Sequence, residues 1–284
     1  MERTDHSSYV GRRTDALDLT ALVTIAGVPA LNAWEMAGVF GAGIFAGTVN
    51  TVVGSGSLLT FPTLLAFGFT PKVANVSNTM GLVPGAISGA YGYRRELVGQ
   101  AHRMRTLGAI ALVGGLCGAV LLLALPGSAF EKVVPFLVLL AVVLVIVQPR
   151  LAARVAARRA AQEAPRAREP ILDVGVFLTA VYGGYFGAAQ GVILIALLGI
   201  FVDDHIQRLN GLKNVLGALV NGIGAVLFAI FAPVAWLPAL LLAVGSTIGG
   251  QIGAKFGRRL PPNLLRLIIV GVGLAVTVKL FLDW

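Results

Sequence analysis

Charge is scarce in this chain. Charged residues make up 12 % of its 284 residues while hydrophobic ones make up 57 %, against roughly 25 % charged in ordinary soluble domains. Carboxylates are absent from every long apolar stretch, which excludes the buried Asp or Glu relay common in proton- and sodium-driven carriers. Of the three histidines, His6, His102 and His205, none lies inside such a stretch. Intramembrane proteolysis or metal hydrolysis would need paired Asp, Ser/His or clustered His at depth, so no enzyme activity and no metal site are expected. A single cysteine, Cys117, excludes an internal disulfide, a cysteine zinc site and an iron–sulfur cluster, and its plain role is a small helix-packing residue. Asp203, Asp204 and His205 stand together at a corner and read as a solvated turn rather than a metal site. No cofactor is implied.

What fills the chain instead is uncharged sequence. Residues 36–71, 73–93, 106–130, 174–202, 214–254 and 267–278 carry no Asp, Glu, Lys or Arg. Apolar runs near ~18 residues read as transmembrane helices, so the fold is all-α and polytopic. The net charge of +9 does not point to nucleic acid, because the arginines are confined to the gaps between apolar runs, where topology determinants sit. Four parts follow: an N-terminal extension over 1–34, membrane repeats over 35–149 and 172–284, and between them a basic cytoplasmic linker over 150–171 that holds some helix and is suited to anionic headgroups. Within the extension, 19–31 is a short apolar stretch read as a short or surface-lying helix rather than a signal-peptide core, since Asp15 and Asp18 sit where an uncharged core should begin.

The two halves share a layout: a glycine-broken hairpin, a polar corner, then an Asn- and Gly-rich helix. An offset of 135 pairs Gly56 with Gly191, Asn75 with Asn210 and Gly89 with Gly224; one further residue pairs Gly47 with Gly183 and Asn78 with Asn214. The segments 94–105, 150–168, 208–213 and 255–266 hold 16 of the 22 Lys and Arg and are assigned to the cytoplasmic side. Each half then has a hairpin that returns to its starting face and three full spans: 73–92, 104–125 and 131–148, against 212–232, 236–254 and 265–282. Three is odd, so the second repeat enters from the other face. Inverted repeats with broken helices are a common build of secondary transporters; the plainer alternative is a duplicated scaffold.

The breaks carry the chemistry. "NTVVGSGSLLTFP" (50–62) drops Gly54, Ser55, Gly56 and Ser57 into an apolar run. A helix interrupted in lipid exposes backbone groups that must be satisfied by protein or a wet cavity, and a half-helix starting near Leu58 offers N-terminal amides and a positive dipole end to an anion. Gly187-Ala188-Ala189-Gln190-Gly191 is the expected counterpart, with Gln190 as side-chain donor. The alternative for any glycine cluster is close helix packing, and it fits Gly43 with Gly47, and Gly81, Gly85 and Gly89. Further polar groups at depth are Asn50, Asn75, Ser77, Asn78, Thr79, Asn210, Lys213, Asn214 and Asn221. Asn75, Asn78 and Thr79 share a helix face, as do Asn210, Lys213 and Asn214. Asn75 and Asn210 are either helix caps or ligands; Asn78 and Asn214, a turn deeper, are placed at the site. Lys213 is either a lysine snorkelling to the cytoplasmic edge or the one cation near the substrate path.

The segment "FAGTVNTVVGSGSLLTFPTLLAFGFTPKVANVSNTMGLVPGAISGAYGYRREL" resembles the first repeat of the sulfite-exporter permease family of the TauE/SafE type: a glycine-rich break, Leu-Leu and Pro, an Ala-Asn helix start and Val-Pro-Gly. The resemblance covers 40–97 well and the second repeat more loosely through "LNGLKNVLGALVNGIG". It implies a multi-pass protein of the cytoplasmic membrane that moves sulfur-containing anions such as sulfite or sulfonates, usually outward, with its site at Gly54–Ser57 and at Asn75, Asn78 and Thr79. Two departures stand out: Ser57 takes a place where glycine is common, and the second break lacks a following proline. The expected function is therefore a secondary transporter of a small oxyanion, with small-molecule anion and lipid bilayer as partners. A channel and an accessory subunit are the alternatives, and oligomeric state is left open.

Overall fold

The computed structural model describes residues 29–160, 169–257 and 262–282. The apolar stretch at 19–31 lies almost wholly outside these. Among the described residues there are ten α-helices and no strand: α1 (Ala33–Val52), α2 (Ser57–Ala66), α3 (Pro71–Gly92), α4 (Ala101–Ala124), α5 (Gly127–Ala160), α6 (Glu169–Tyr185), α7 (Gln190–Phe201), α8 (Ile206–Phe231), α9 (Trp236–Phe256) and α10 (Pro262–Leu282).

Local chemistry explains several boundaries. Asn32 caps α1, its Oδ1 accepting from the amides of Trp34 (3.0 Å) and Glu35 (2.9 Å), while Glu35 Oε2 accepts from Asn32 N (2.8 Å); this reciprocal box satisfies amides that have no partner in the helix. Thr70 is extended and Pro71 opens α3, where a missing N–H is harmless. Among the described residues five helices are long and apolar enough to cross a membrane: α4, α5 over Gly127–Arg154, α8, α9 and α10 over Leu264–Leu282. The sixth expected span, α3, has the length but buries Asn75, Ser77, Asn78 and Thr79. The expected end of the first repeat at 149 falls inside continuous helix: α5 runs through Pro149 to Ala160, about 50 Å at 1.5 Å per residue, so it outruns a ~30 Å hydrocarbon core.

Both hairpins fold back on themselves. Gly38 on α1 packs against the Phe67 ring after α2, and Gly175 on α6 against Leu197 on α7. The fourth helix of each half leaves its own half. α9 packs between α1 and α3, and α4 packs against α6 and α8. Small residues line these seams: a Cβ on Gly43 would stand 3.2 Å from Leu242 Cα, and one on Gly47 2.8 Å from Ser246 Cα. Gly81 and Gly85 face Leu242 and Ser246 in the same way, and Gly89 faces Thr51. The packing alternative for these glycines is therefore correct. Ser246 ties the seam by donating to Gly81 O at 2.7 Å. Outward faces are apolar, as at Leu140, Val143 and Ile146 on α5 and Leu240, Val244 and Ile248 on α9, while Leu107, Val176, Leu198, Leu212 and Leu216 knit α4, α6, α7 and α8 together. Cys117 on α4 is exposed.

Candidate functional site

The helix breaks lie between α1 and α2 and between α6 and α7, and they are built alike. Val53 N and Gly54 N both donate to Val49 O (2.7 and 3.1 Å); Phe186 N and Gly187 N both donate to Tyr182 O (2.9 and 3.2 Å). Gly54 and Gly187 take φ of +91° and +80°, a region that a Cβ makes costly. The structural equivalents are thus Gly54 and Gly187, an offset of 133, and not Gly56 with Gly191. The 135 offset returns at the helices that follow, since α3 and α8 begin at residues 71 and 206. The two residues are taken up in the half-helix itself, 12 residues long in α7 against 10 in α2.

The breaks touch. Gly191 N donates to Gly54 O at 3.1 Å, and a Cβ on either glycine would come 2.5 Å from the Cα of the other. Several backbone amides at the half-helix starts are used within the turn. Leu58 and Leu59 donate to Ser55 O and Gly56 O, and Gln190 and Val192 to Gly187 O and Ala189 O. The expected row of free amides is accordingly reduced, because tight i→i+3 bonds close both first turns. What remains is side-chain chemistry. Ser55 is 1 % exposed and Gln190 4 %, and Ser55 Oγ and Gln190 Nε2 have no hydrogen-bond partner. The Gln190 side chain lies over Gly183, where a Cβ would collide with it. Ser57 and Asn50 are half-buried, Asn50 with its Cβ against Gly56.

Each half holds the other's broken end. Asn75 Nδ2 donates to Tyr185 O at 3.0 Å, at the end of α6. Lys213 Nζ donates to Asn50 O (3.3 Å) and Thr51 O (3.1 Å), and Asn214 Nδ2 to Thr51 O (3.3 Å), at the end of α1. These are carbonyls that a broken helix leaves without partners. The capping alternative for Asn75 and Asn210 is overturned: the N-caps are Thr70 and His205, one turn earlier. Asn75 instead closes the C-terminus of a helix in the other half, with its Oδ1 left unpartnered. The snorkelling alternative for Lys213 is overturned as well. It is 2 % exposed, its amine held inward by carbonyls.

The other polar residues face elsewhere. Asn78 is bonded to the Thr60 hydroxyl on α2, and Thr79 Oγ1 donates to Asn75 O within its own helix at 3.0 Å. Asn210 is buried and bonds to neither break. Sequence reasoning missed Tyr182, whose hydroxyl donates to Ala188 O at 2.6 Å and braces the second break, and the ring cluster beside it. Phe186 meets Phe61 edge-on with centroids 5.3 Å apart, and Phe130 meets Tyr185 at 5.6 Å. Two aromatics around Gly183-Gly184 were a signal that went unused.

Two cavities lie away from the breaks. One, about 680 Å³, is lined by Pro62, Pro71, Glu131, Lys132 and Lys279 among others; the second, about 360 Å³, by His102, Arg103, Asp173, Val202 and Asp203 among others. Beside the second, Asp204 is more than a solvated turn residue. Its carboxylate pairs with Arg103 and Arg208, each at 2.7 Å, and accepts from His205 N. Burial pushes its carboxyl up, but Arg208, the His205 amide and Arg103 outweigh that and hold it below the ordinary carboxylate range. Arg208 also donates to Val98 O, and Gln100 to Arg208 O, so the corner after α7 is tied to the loop between α3 and α4. Among the described residues no cluster of His, Cys, Asp or Glu suits a metal ion.

A family model for the sulfite exporter TauE/SafE matches residues 39–280, spanning both breaks and all ten helices but for the outermost turns. The chain belongs to the TauE/SafE family. Curated relatives of this TauE/SafE protein include the probable membrane transporter protein YfcA of Escherichia coli strain K12, 25 % identical over 249 residues, 86 % of this chain and 88 % of the relative. A probable membrane transporter protein of Haemophilus influenzae is 24 % identical over 250 residues, covering 86 % and 93 %, and ORF9 of Sinorhizobium sp is 23 % identical over 256 residues, covering 87 % and 93 %. No solved structure gives a significant match. Family, relatives and five apolar helices together make this a multi-pass protein of the cell membrane in a transporter family.

Proposed function

We propose that this protein is a secondary transporter of a small, sulfur-containing oxyanion, moved outward by alternating access between two inverted repeats. The observation that carries the reading is the pair of orphaned donors, Ser55 Oγ and Gln190 Nε2. Both are buried, both stand where a half-helix starts, and the half-helices approach through Gly54 and Gly191. A buried donor without a partner loses about 1–3 kcal/mol. An oxyanion recovers that loss twice and meets the positive ends of two helix dipoles.

Inversion is supported by the ends of α4. Its first turn lines the cavity at the mouth of the second hairpin, with Asp173 and Asp203. At its other end, Leu125 O accepts from Lys72 Nζ at 2.7 Å, beside the cavity that holds Pro62 and Pro71 at the mouth of the first hairpin. The hairpins then open about 36 Å apart, the length of a 24-residue helix, toward opposite faces. With the arginine-rich loops cytoplasmic, the second hairpin opens inward.

The test is counterflow in proteoliposomes with sulfite, methanesulfonate, thiosulfate, sulfate and organic acids. Saturable counterflow of a sulfur oxyanion, lost in Ser55→Ala combined with Gln190→Leu, is the expected result. Flux unaffected by that double change removes the site, and single-channel currents would make the protein a pore.

A further inference from the structure

The two braces at the broken ends are not chemically alike. At the end of α6 one neutral amide, Asn75, does the work. At the end of α1 the same task falls to Asn214, also a neutral amide, and additionally to Lys213. In the 135 register that aligns α3 with α8, the position of Lys213 corresponds to Asn78, so the symmetric half manages without a cation there. Capping two carbonyls therefore does not require the charge.

The charge is also poorly balanced. Lys213 is the one charged residue among the described residues with a fully buried side chain. Its hydrogen-bond partners are two backbone carbonyls, and the ion pairs that Asp204 makes with Arg103 and Arg208 do not involve it. The C-terminal end of α1 contributes a partial negative charge of about half a unit. Withdrawing an ammonium from water entails several kcal/mol, which half a unit at a helix end does not offset. An ammonium there therefore calls for a negative charge close by to hold it, and its acceptors Asn50 and Thr51 lie two to three residues before the break that holds Ser55.

Building on the transporter reading above, we infer that Lys213 is the specificity-determining residue that restricts the substrate to an anion: its uncompensated ammonium supplies the counter-charge for one negative charge at the breaks. Orphaned hydroxyl and amide donors accept a neutral sulfone as readily as a sulfonate. The helix ends add only partial charges, so the cation is the main feature that tells them apart.

Methanesulfonate and dimethyl sulfone are nearly the same shape and differ by one charge, which makes them the probes. In proteoliposomes of the wild-type chain loaded for methanesulfonate counterflow, unlabelled methanesulfonate should compete at least roughly tenfold better than dimethyl sulfone. Lys213→Gln, which keeps a donor for the Thr51 carbonyl but not the charge, should shrink that ratio toward one, and Lys213→Arg should preserve it. Equal competition by the sulfone in the wild type overturns the inference even if the Gln variant fails to reach the membrane. An unchanged ratio in a folded Lys213→Gln protein also overturns it while leaving anion transport intact. Absence of flux for every sulfur anion in the wild type overturns both this and the function it rests on.

Discussion

Adding one methyl group at Gly54 tests the meeting of the breaks directly. In Gly54→Ala the new Cβ sits on a residue with φ of +91°, a left-handed conformation that disfavours an L side chain by about 1–2 kcal/mol. It would also stand 2.5 Å from Gly191 Cα, 2.6 Å from Gly191 C and 3.0 Å from Val192 N. All three are backbone atoms, so no rotamer change relieves the contact. The half-helix beginning at Gln190 must retreat by about 1 Å to reach ordinary van der Waals separation, and the Gly191 N–H bond to Gly54 O at 3.1 Å is lost with it, worth about 1 kcal/mol. Overpacking of this kind typically adds about 1–3 kcal/mol. The sum is roughly 3–6 kcal/mol. The assay is paired: thermal unfolding of the purified protein in detergent, and counterflow in proteoliposomes at matched protein density. Gly217→Ala is the control, because a Cβ at Gly217 meets nothing within 4 Å inside α8, and alanine there favours the helix by up to about 1 kcal/mol. Gly54→Ala should lower the melting temperature and abolish flux, with Gly54→Leu and Gly56→Leu abolishing flux while protein still reaches the membrane. A Gly54→Ala protein that melts and transports like the wild type would refute the direct apposition of the breaks.

Three further outcomes follow from the braces and the turns. Asn75→Ala leaves the Tyr185 carbonyl buried without its 3.0 Å donor and should destabilise the protein by about 1–3 kcal/mol, read by thermal unfolding. Ala189 holds φ of +58° without being glycine, so Ala189→Gly should relieve about 1 kcal/mol of strain and raise the melting temperature. Asp204→Asn should lose about 1 kcal/mol at neutral pH, a modest figure because Arg103 is 40 % exposed. The Asp204 carboxyl is held below its ordinary range in the folded protein, so its stabilisation is present at neutral pH and fades as acid carries the pH down through that lowered value; melting curves of wild type and variant should converge there.

Uncharged runs and glycine punctuation made the architecture legible in advance. Helix ends at 92, 124 and 231 lie within one residue of those expected from the uncharged runs, and the hairpins break within Gly54–Ser57 and Gly187–Gly191 as expected, because in lipid a polar gap has few alternatives to a break. The seam glycines were legible for the same reason, since spacing by four on an apolar helix has one main use. The pairing of Gly56 with Gly191 went astray because identity at weakly similar positions ignores the two-residue difference in length between α2 and α7; φ at Gly54 and Gly187 sets the true register. Asn75 and Lys213 were legible as polar groups on one face but not as braces. Their acceptors, the carbonyls of Tyr185 and Thr51, lie 110 and 162 residues away in sequence, and a carbonyl leaves no mark in a sequence. Nor does the long reach of α5 past Pro149 show in composition, since a lipid-facing helix tolerates proline and an arginine-rich segment fits helix and linker equally well.

The braces also bear on how the halves would move. Each broken end is closed by the third helix of the other half, and each fourth helix is packed into the other half's seam, so the halves do not have independent cores. Rocking one half as a rigid body would pull α9 away from α1 and α3 along a glycine seam where backbones lie in contact, exposing far more than a hinge. A smaller motion is available. The half-helices α2 and α7 are 10 and 12 residues long, are not gripped by those glycine seams, and pack on α10 and α5 as well as on their own halves. Swinging α2 or α7 against its break requires release of the Gly191–Gly54 bond and of ring contacts such as Phe61 on Phe186, while Lys213, Asn214 and Asn75 keep α1 and α6 fixed. In the proposed transport cycle the long halves of the hairpins, α1 and α6, would serve as the frame and the short ones as the gates, with the charge on α8, which braces the frame, and the orphaned Gln190 on a gate.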